Sequence, residues 1–191
     1  YRALSSDLVT ALIFVSNFKF WREAGYFDAS SHEKWFLHTW SLSVEWQFYL
    51  ILPLVLMGLW RLSPSRRAMS VWLISGFLVS LALSIILTPL KSMTAFYLLP
   101  TRAWEMLAGS LVFMLADRLS LSGMSRRIME LAGFVLILGS IAFIDSSMQW
   151  PGWRAMLPVA GAVLVLMAAR IGSLWTCSHV AQSLGNASYS I

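Results

Sequence analysis

Apolar residues in this chain are gathered into blocks about twenty residues long, the length an α-helix needs to cross a hydrocarbon core of about 30 Å. Read at helical rise, the blocks predict spans at Leu4 to Phe20, Trp40 to Trp60, Ser70 to Leu90, Phe96 to Ala116, Ile128 to Phe143 and Trp153 to Ala169. A seventh begins near Gly185. With 58% hydrophobic and 12% charged residues, the chain has too few charges to coat a soluble globule. The expected fold is therefore all-α: a polytopic transmembrane bundle of about six complete spans plus the start of another. No internal repeat or linker divides residues 1–191, so they read as one membrane-embedded domain, cut at both ends.

Charge position gives the blocks a direction. Loops alternate between an Arg-dense set (Arg61, Arg66 and Arg67; Arg118, Arg126 and Arg127; Arg170) and a sparser set (Lys19, Arg22, Lys34, Lys91, Arg154). The Arg-dense set is expected on the cytoplasmic side. Glu23, Asp28, Glu33 and Asp145 all fall on the other side, and Trp residues cluster at the proposed interfaces. The formal net charge of +5 is thus a topology signal, and no nucleic-acid partner is expected. Lone Cys177 sits in no metal-ligand pattern and is expected to pack; no metal is called for.

Three ionisable residues inside the predicted spans carry the functional signal: Glu45 in the second, Arg102 and Glu105 in the fourth. A charge at the centre of a membrane helix costs at least roughly 2.5 to 3.5 kcal/mol, so such residues face the bundle interior and have partners or a function. Counted at helical rise from the outer ends, Glu45 lies roughly 8 Å deep, Arg102 roughly 9 Å and Glu105 roughly 13 Å. All three can therefore belong to one layer. Ser41, Glu45 and Tyr49 repeat every four residues, and Arg102 and Glu105 are spaced i, i+3, so each set shares a helix face; Ser43 and Gln47 point elsewhere. A structural ion pair between Arg102 and either glutamate is the plain alternative. His38 at the membrane edge can act as acid, base or donor to a hydroxyl, or be an ordinary interfacial histidine. The pairs Arg66-Arg67 and Arg126-Arg127 suit either orientation or the phosphates of a soluble donor. Asp7, near the start of the first block, suits a cap or a loop.

The run from His38 through Leu50, His-Thr-Trp-Ser-Leu-Ser-Val-Glu-Trp-Gln-Phe-Tyr-Leu, followed by Pro53, resembles the signature of acyltransferase family 3, integral-membrane enzymes of the O-antigen acetylase type. Three further stretches fit in the expected order: residues 14–18 (Phe-Val-Ser-Asn-Phe), residues 100–105 (Pro-Thr-Arg-Ala-Trp-Glu) with Gly109, and residues 184–191 at the end. Trp46 stands where the family often has an acidic residue. Tyr26-Phe27-Asp28 and His38-Thr39-Trp40 are most similar to members with a further extracytoplasmic hydrolase-like domain.

The resemblance implies transfer of an acyl group, usually acetyl, from a cytoplasmic thioester donor such as acetyl-CoA to a hydroxyl of a cell-envelope polysaccharide or lipid-linked glycan. The setting is a bacterial inner membrane crossed several times, with no bound cofactor. It implies Glu45, Arg102 and Glu105 as transfer-site residues, with His38, Ser41, Ser43 and Tyr49 as hydrogen-bonding groups for substrate. The family's expected base is a histidine on an early helix, about eleven positions after an Arg or Lys, in a segment this sequence does not contain. The rival is a transporter or flippase whose membrane carboxylates relay protons or bind a polar substrate. The absence of a repeated half counts against it.

Overall fold

The computed structural model describes residues 2–23, 36–116, 121–145, 148–169, 173 and 177–187. Tyr26, Phe27, Asp28, Glu33, Lys34, Arg118, Arg170 and residues 188–191 of the charge pattern and the motifs lie outside them. The described elements are all helical: α1 (Arg2–Leu12), α2 (Ser16–Glu23), α3 (Thr39–Leu62), α4 (Arg66–Leu90), α5 (Ser92–Tyr97), α6 (Leu99–Ala116), α7 (Gly123–Phe143), α8 (Met156–Ala168, entered through a 3-10 turn at Gly152–Ala155) and α9 (His179–Ala187). Two of them, α3 and α4, are long and apolar enough to cross a membrane. Helix α6 carries Arg102 and Glu105, α7 carries Arg126, Arg127 and Glu130, and α8 has 13 residues.

Two predicted spans are interrupted. The block from Leu4 to Phe20 forms α1 and α2, broken at residues 13–15, where Phe14 takes a left-handed backbone (φ 54°). A break exposes polar backbone, which a bundle tolerates only when neighbours satisfy it. Here Gln47 does so, donating from Nε2 to the Phe14 carbonyl at 2.9 Å. Asp7 neither caps nor sits in a loop: buried, it pairs with Lys19 across the break. The block from Phe96 to Ala116 divides at Leu98, which is extended (ψ 141°). Helix α6 restarts with Pro100 in its first turn, where a missing N–H costs nothing.

Contacts fix helix direction. A three-residue turn joins α3 to α4. On α4, Ser80 Oγ donates to the Pro100 carbonyl (2.7 Å) and accepts from the Trp104 N–H (2.9 Å). An α-helix would join that pair directly, so α4 is stitched into the first turns of α6. Thr88, near the end of α4, lies against Gly152 at the entrance to α8. At the far end, Arg126 Nη1 donates to the carbonyls of Ala168 (2.9 Å) and Ala169 (3.4 Å), a cation placed on the C-terminus of α8. One end of the bundle therefore collects the starts of α3, α6 and α8, and the other collects Arg61, Arg66, Arg67, Arg126 and Arg127. This is the segregation the loop charges predict. It also commits Arg126 to a helix terminus.

Packing is uneven. Helices α7 and α8 cross at Gly133 and Gly161, where a Cβ on either glycine would lie within 2.7 Å of the other's carbonyl oxygen, so backbone meets backbone. Phe48, Leu73 and Leu107 form a core where α3, α4 and α6 meet. Between α8 and the α4–α6 pair lies an apolar cavity of about 330 Å³, lined by Phe77, Trp104, Ala108, Met156, Val159 and Val163 among others.

Candidate active site

Helices α3 and α6 start at the same end of the bundle. Glu45 and Glu105 are each six residues beyond their helix start, roughly 9 Å along the axis at helical rise, and Arg102 roughly 5 Å. A cleft of about 80 Å³ opens between them, lined by Trp40, Ser41, Val44, Glu45, Arg102, Glu105 and Met106. Side chains 57 or more positions apart in sequence thus share one wall-to-wall space.

The ion pair lies within α6. Arg102 Nη2 donates to Glu105 Oε2 at 2.7 Å, across the i, i+3 spacing of one helix face. The guanidinium is also held over two rings, 5.3 Å from the centroid of Trp40 and 5.7 Å from that of Phe96. Trp40 and Phe96 themselves pack at 4.5 Å, closing this end of the cleft. The other oxygen of Glu105, Oε1, is enclosed and has no hydrogen-bond partner. Glu45 is exposed to the cleft, and no cation of the described residues pairs with it. Ser41, also exposed, donates to the His38 carbonyl at 3.2 Å.

Three residues expected to bind substrate are not among the cleft's lining. Ser43 is fully buried, sharing a hydrogen bond with Ser16 Oγ (2.8 Å) and donating to the Thr39 carbonyl (3.0 Å). Its helix face turns toward α2, so it acts in packing. Tyr49 is exposed a turn beyond Glu45, and His38 is exposed at the start of α3. Exposed Trp46 stacks on Phe14 at 4.6 Å, over the break between α1 and α2, which gives the tryptophan at this motif position a structural partner.

Behind the cleft lies a polar network that periodicity does not reveal. Asn17, 0% exposed, donates from Nδ2 to the Tyr97 carbonyl (3.2 Å) and to Gln47 Oε1 (3.4 Å), and accepts from Gln47 Nε2 (2.8 Å). It therefore ties α3, which carries Glu45, to the junction from which α6 carries Arg102 and Glu105. Trp21 Nε1 adds a bond to Thr94 Oγ1 (3.0 Å). A further carboxylate, Glu130, is 2% exposed within α7 and accepts from Ser173 Oγ. It falls inside the predicted span from Ile128 to Phe143, so the criterion that selected Glu45 selects it equally. Among the described residues no group of His, Cys, Asp and Glu could hold a metal ion.

The acyltransferase domain model of acyltransferase family 3 matches residues 5–191, and the chain is a member of that family. It is 31% identical over 183 residues to a Komagataeibacter xylinus protein named "Putative membrane-bound transacylase BcsY", covering 95% of this chain and 46% of that protein. It is 28% identical over 175 residues to an uncharacterised protein of Haemophilus influenzae, covering 87% of this chain and 71% of the relative. The chain thus spans about half the length of the transacylase. No solved structure matches it. The chain carries the acyltransferase domain of that family.

Proposed function

We propose that this chain forms part of a multi-pass O-acyltransferase of a bacterial inner membrane. The enzyme moves an acetyl group from a cytoplasmic thioester, acetyl-CoA, to a hydroxyl of a cell-envelope polysaccharide or lipid-linked glycan. The observation that carries the proposal is the cleft that unites the two family motifs, Glu45 on α3 and Arg102 with Glu105 on α6. In the reaction the acceptor oxygen forms a bond to the acyl carbon, the carbon–sulfur bond breaks, and the hydroxyl proton leaves with the thiol of coenzyme A. Glu45 accepts a hydrogen bond from the incoming hydroxyl, and Arg102, oriented by Glu105, offers N–H groups from the opposite wall. The base that relays the proton is the histidine expected on the early helix outside residues 1–191.

Of the spans this reading calls for, α3 and α4 are long and apolar enough to cross a membrane, and the Arg-rich end is where an anionic cytoplasmic donor approaches, at exposed Arg61, Arg66 and Arg67. Family membership favours transfer over transport. In the full-length protein, Glu45→Ala and Arg102→Ala should each lower transfer of radiolabelled acetyl from acetyl-CoA to envelope glycan by at least ~100-fold, with membrane insertion unchanged by protease accessibility. Wild-type transfer by either variant sinks these roles.

A further inference from the structure

The charges around the cleft are not equally available. Arg102 is held three times over, by Glu105 Oε2 and by the rings of Trp40 and Phe96. A guanidinium so placed has its charge matched by Glu105 and lies against two rings, while its other N–H groups remain to meet a neutral oxygen. Glu105 is half-satisfied: one oxygen meets Arg102 and the other is enclosed without a donor. Glu45 is exposed to the cleft with no pairing cation among the described residues. Two carboxylates therefore stand against one committed guanidinium, and the charge a ligand meets is negative.

Size and lining point the same way. About 80 Å³ is far below the roughly 300–1,000 Å³ of clefts that enclose drug-sized ligands, so the space takes the hydroxyl-bearing edge of a ring and not a nucleotide. Its polar atoms on offer are the acceptors of Glu45 and the Ser41 hydroxyl and the remaining N–H groups of Arg102, beside the apolar surfaces of Val44, Met106 and Trp40. A ring with hydroxyl edges and C–H faces suits such walls. The phosphates of a coenzyme A thioester do not, since a phosphate beside Glu45 places like charges at contact distance.

We infer that the cleft is the acceptor half of the transfer site, built for a hydroxyl- or amine-bearing, non-anionic sugar and closed to the anionic donor. The inference rests on the transferase reading and adds to it which substrate sits here and of what charge. The donor's phosphates are then held elsewhere, and Glu45 discriminates among acceptors by charge as well as by hydrogen bonding.

Binding without any donor tests this. Full-length protein in lipid nanodiscs is titrated by microscale thermophoresis with methyl β-glucoside, its anionic counterpart methyl β-glucuronide, and cationic glucosamine; acetyl-CoA is titrated separately. Glucoside and glucosamine should bind saturably and glucuronide at least ~tenfold more weakly. Glu45→Gln, which keeps the side chain's shape, should remove the penalty on glucuronide and leave acetyl-CoA affinity within about twofold. Glucuronide binding as tightly as glucoside, no saturable binding by any of the three sugars, or a Glu45→Gln protein that loses acetyl-CoA overturns the inference. Sugar binding in the expected order with no acyl transfer by the wild type overturns the transferase reading alone. Transfer without that order overturns only the acceptor assignment.

Discussion

The α3–α6 cleft and the α7–α8 crossing sit in one bundle and are built on opposite principles. At the crossing, Gly133 and Gly161 bring two backbones together with no room for a side chain between them. Around the cleft, helices are held apart by side chains, bridged by amides and hydroxyls, and left with an enclosed carboxylate oxygen that nothing in the structure satisfies. Close packing of small residues gives rigidity where the main attraction between helices is van der Waals contact. Half-satisfied polar groups are what a site retains when a ligand is to complete them. The glycine crossing works as scaffold, and the cleft works by what it leaves open.

Breaking the scaffold should have the largest effect. In Gly133→Leu the new side chain meets the Gly161 carbonyl and Val165, neither of which can retreat without parting the helices. A cost of about 3 kcal/mol or more follows from overpacking of this kind. The variant should fail to accumulate as a monodisperse protein, as size-exclusion fluorescence of a fusion would show. Gly139→Leu on the same helix, where a Cβ meets nothing within 4 Å, should behave as wild type. Equal behaviour of the two would end the contrast between crossing and cleft.

How far each region could be read from sequence differs for a physical reason. Helices α3 and α4 were legible to within a few residues, because their apolar stretches are long and end at Arg61, Arg66 and Lys91. The breaks at Phe14 and Leu98 were not. Each is secured by a partner distant in sequence: Gln47 lies 33 positions from Phe14, and Asn17 lies 80 positions from Tyr97. Local patterns carry no trace of such partners. In the cleft, the i, i+3 spacing showed that Arg102 could meet Glu105, and equal depth placed Glu45 in the same layer. Ser43 shows the limit of composition in a motif: a hydroxyl in the signature run is committed to Ser16, on the face turned away from Glu45. Glu130 was legible by the same span criterion, and its meeting with Ser173, 43 positions on, was not.

A smaller, more informative effect is expected at Asn17, which sharpens the comparison from the cleft side. Asn17→Leu keeps the branched shape, but takes from the Tyr97 carbonyl and from Gln47 Oε1 the donor that Asn17 supplies, at a cost of about 2 to 4 kcal/mol. Because Asn17 touches no cleft atom, its influence on transfer comes through the relative placement of α3 and α6, and misplacement on the order of 1 Å can cost ~100-fold in rate. The expected signature is a fall in kcat larger than any rise in KM. Asn17→Asp still accepts from Gln47 Nε2 and loses the donation to Tyr97, so it should fall between wild type and Asn17→Leu. Loss of stability by Asn17→Leu with unchanged kcat would make the network scaffold as well, and the contrast would dissolve.

The smallest effect is expected at the other end of the glycine-crossed pair. Arg126 offers its guanidinium to the last carbonyls of α8, where Ala169 takes a left-handed conformation (φ 41°) that ends the helix. A cation at a helix C-terminus is worth about 0.3 to 1 kcal/mol. Arg126→Ala should therefore lower the melting temperature of the detergent-solubilised full-length protein slightly, while Arg127→Ala, exposed in the same turn, should do less. Acetyl-CoA affinity separates this capping role from the phosphate role that the Arg pair also suggests. A cap leaves the donor's Kd unchanged in Arg126→Ala, whereas a phosphate ligand loses roughly tenfold. Such a loss without a change in melting temperature would turn Arg126 from scaffold to site and extend the substrate surface across the bundle to the α7–α8 end.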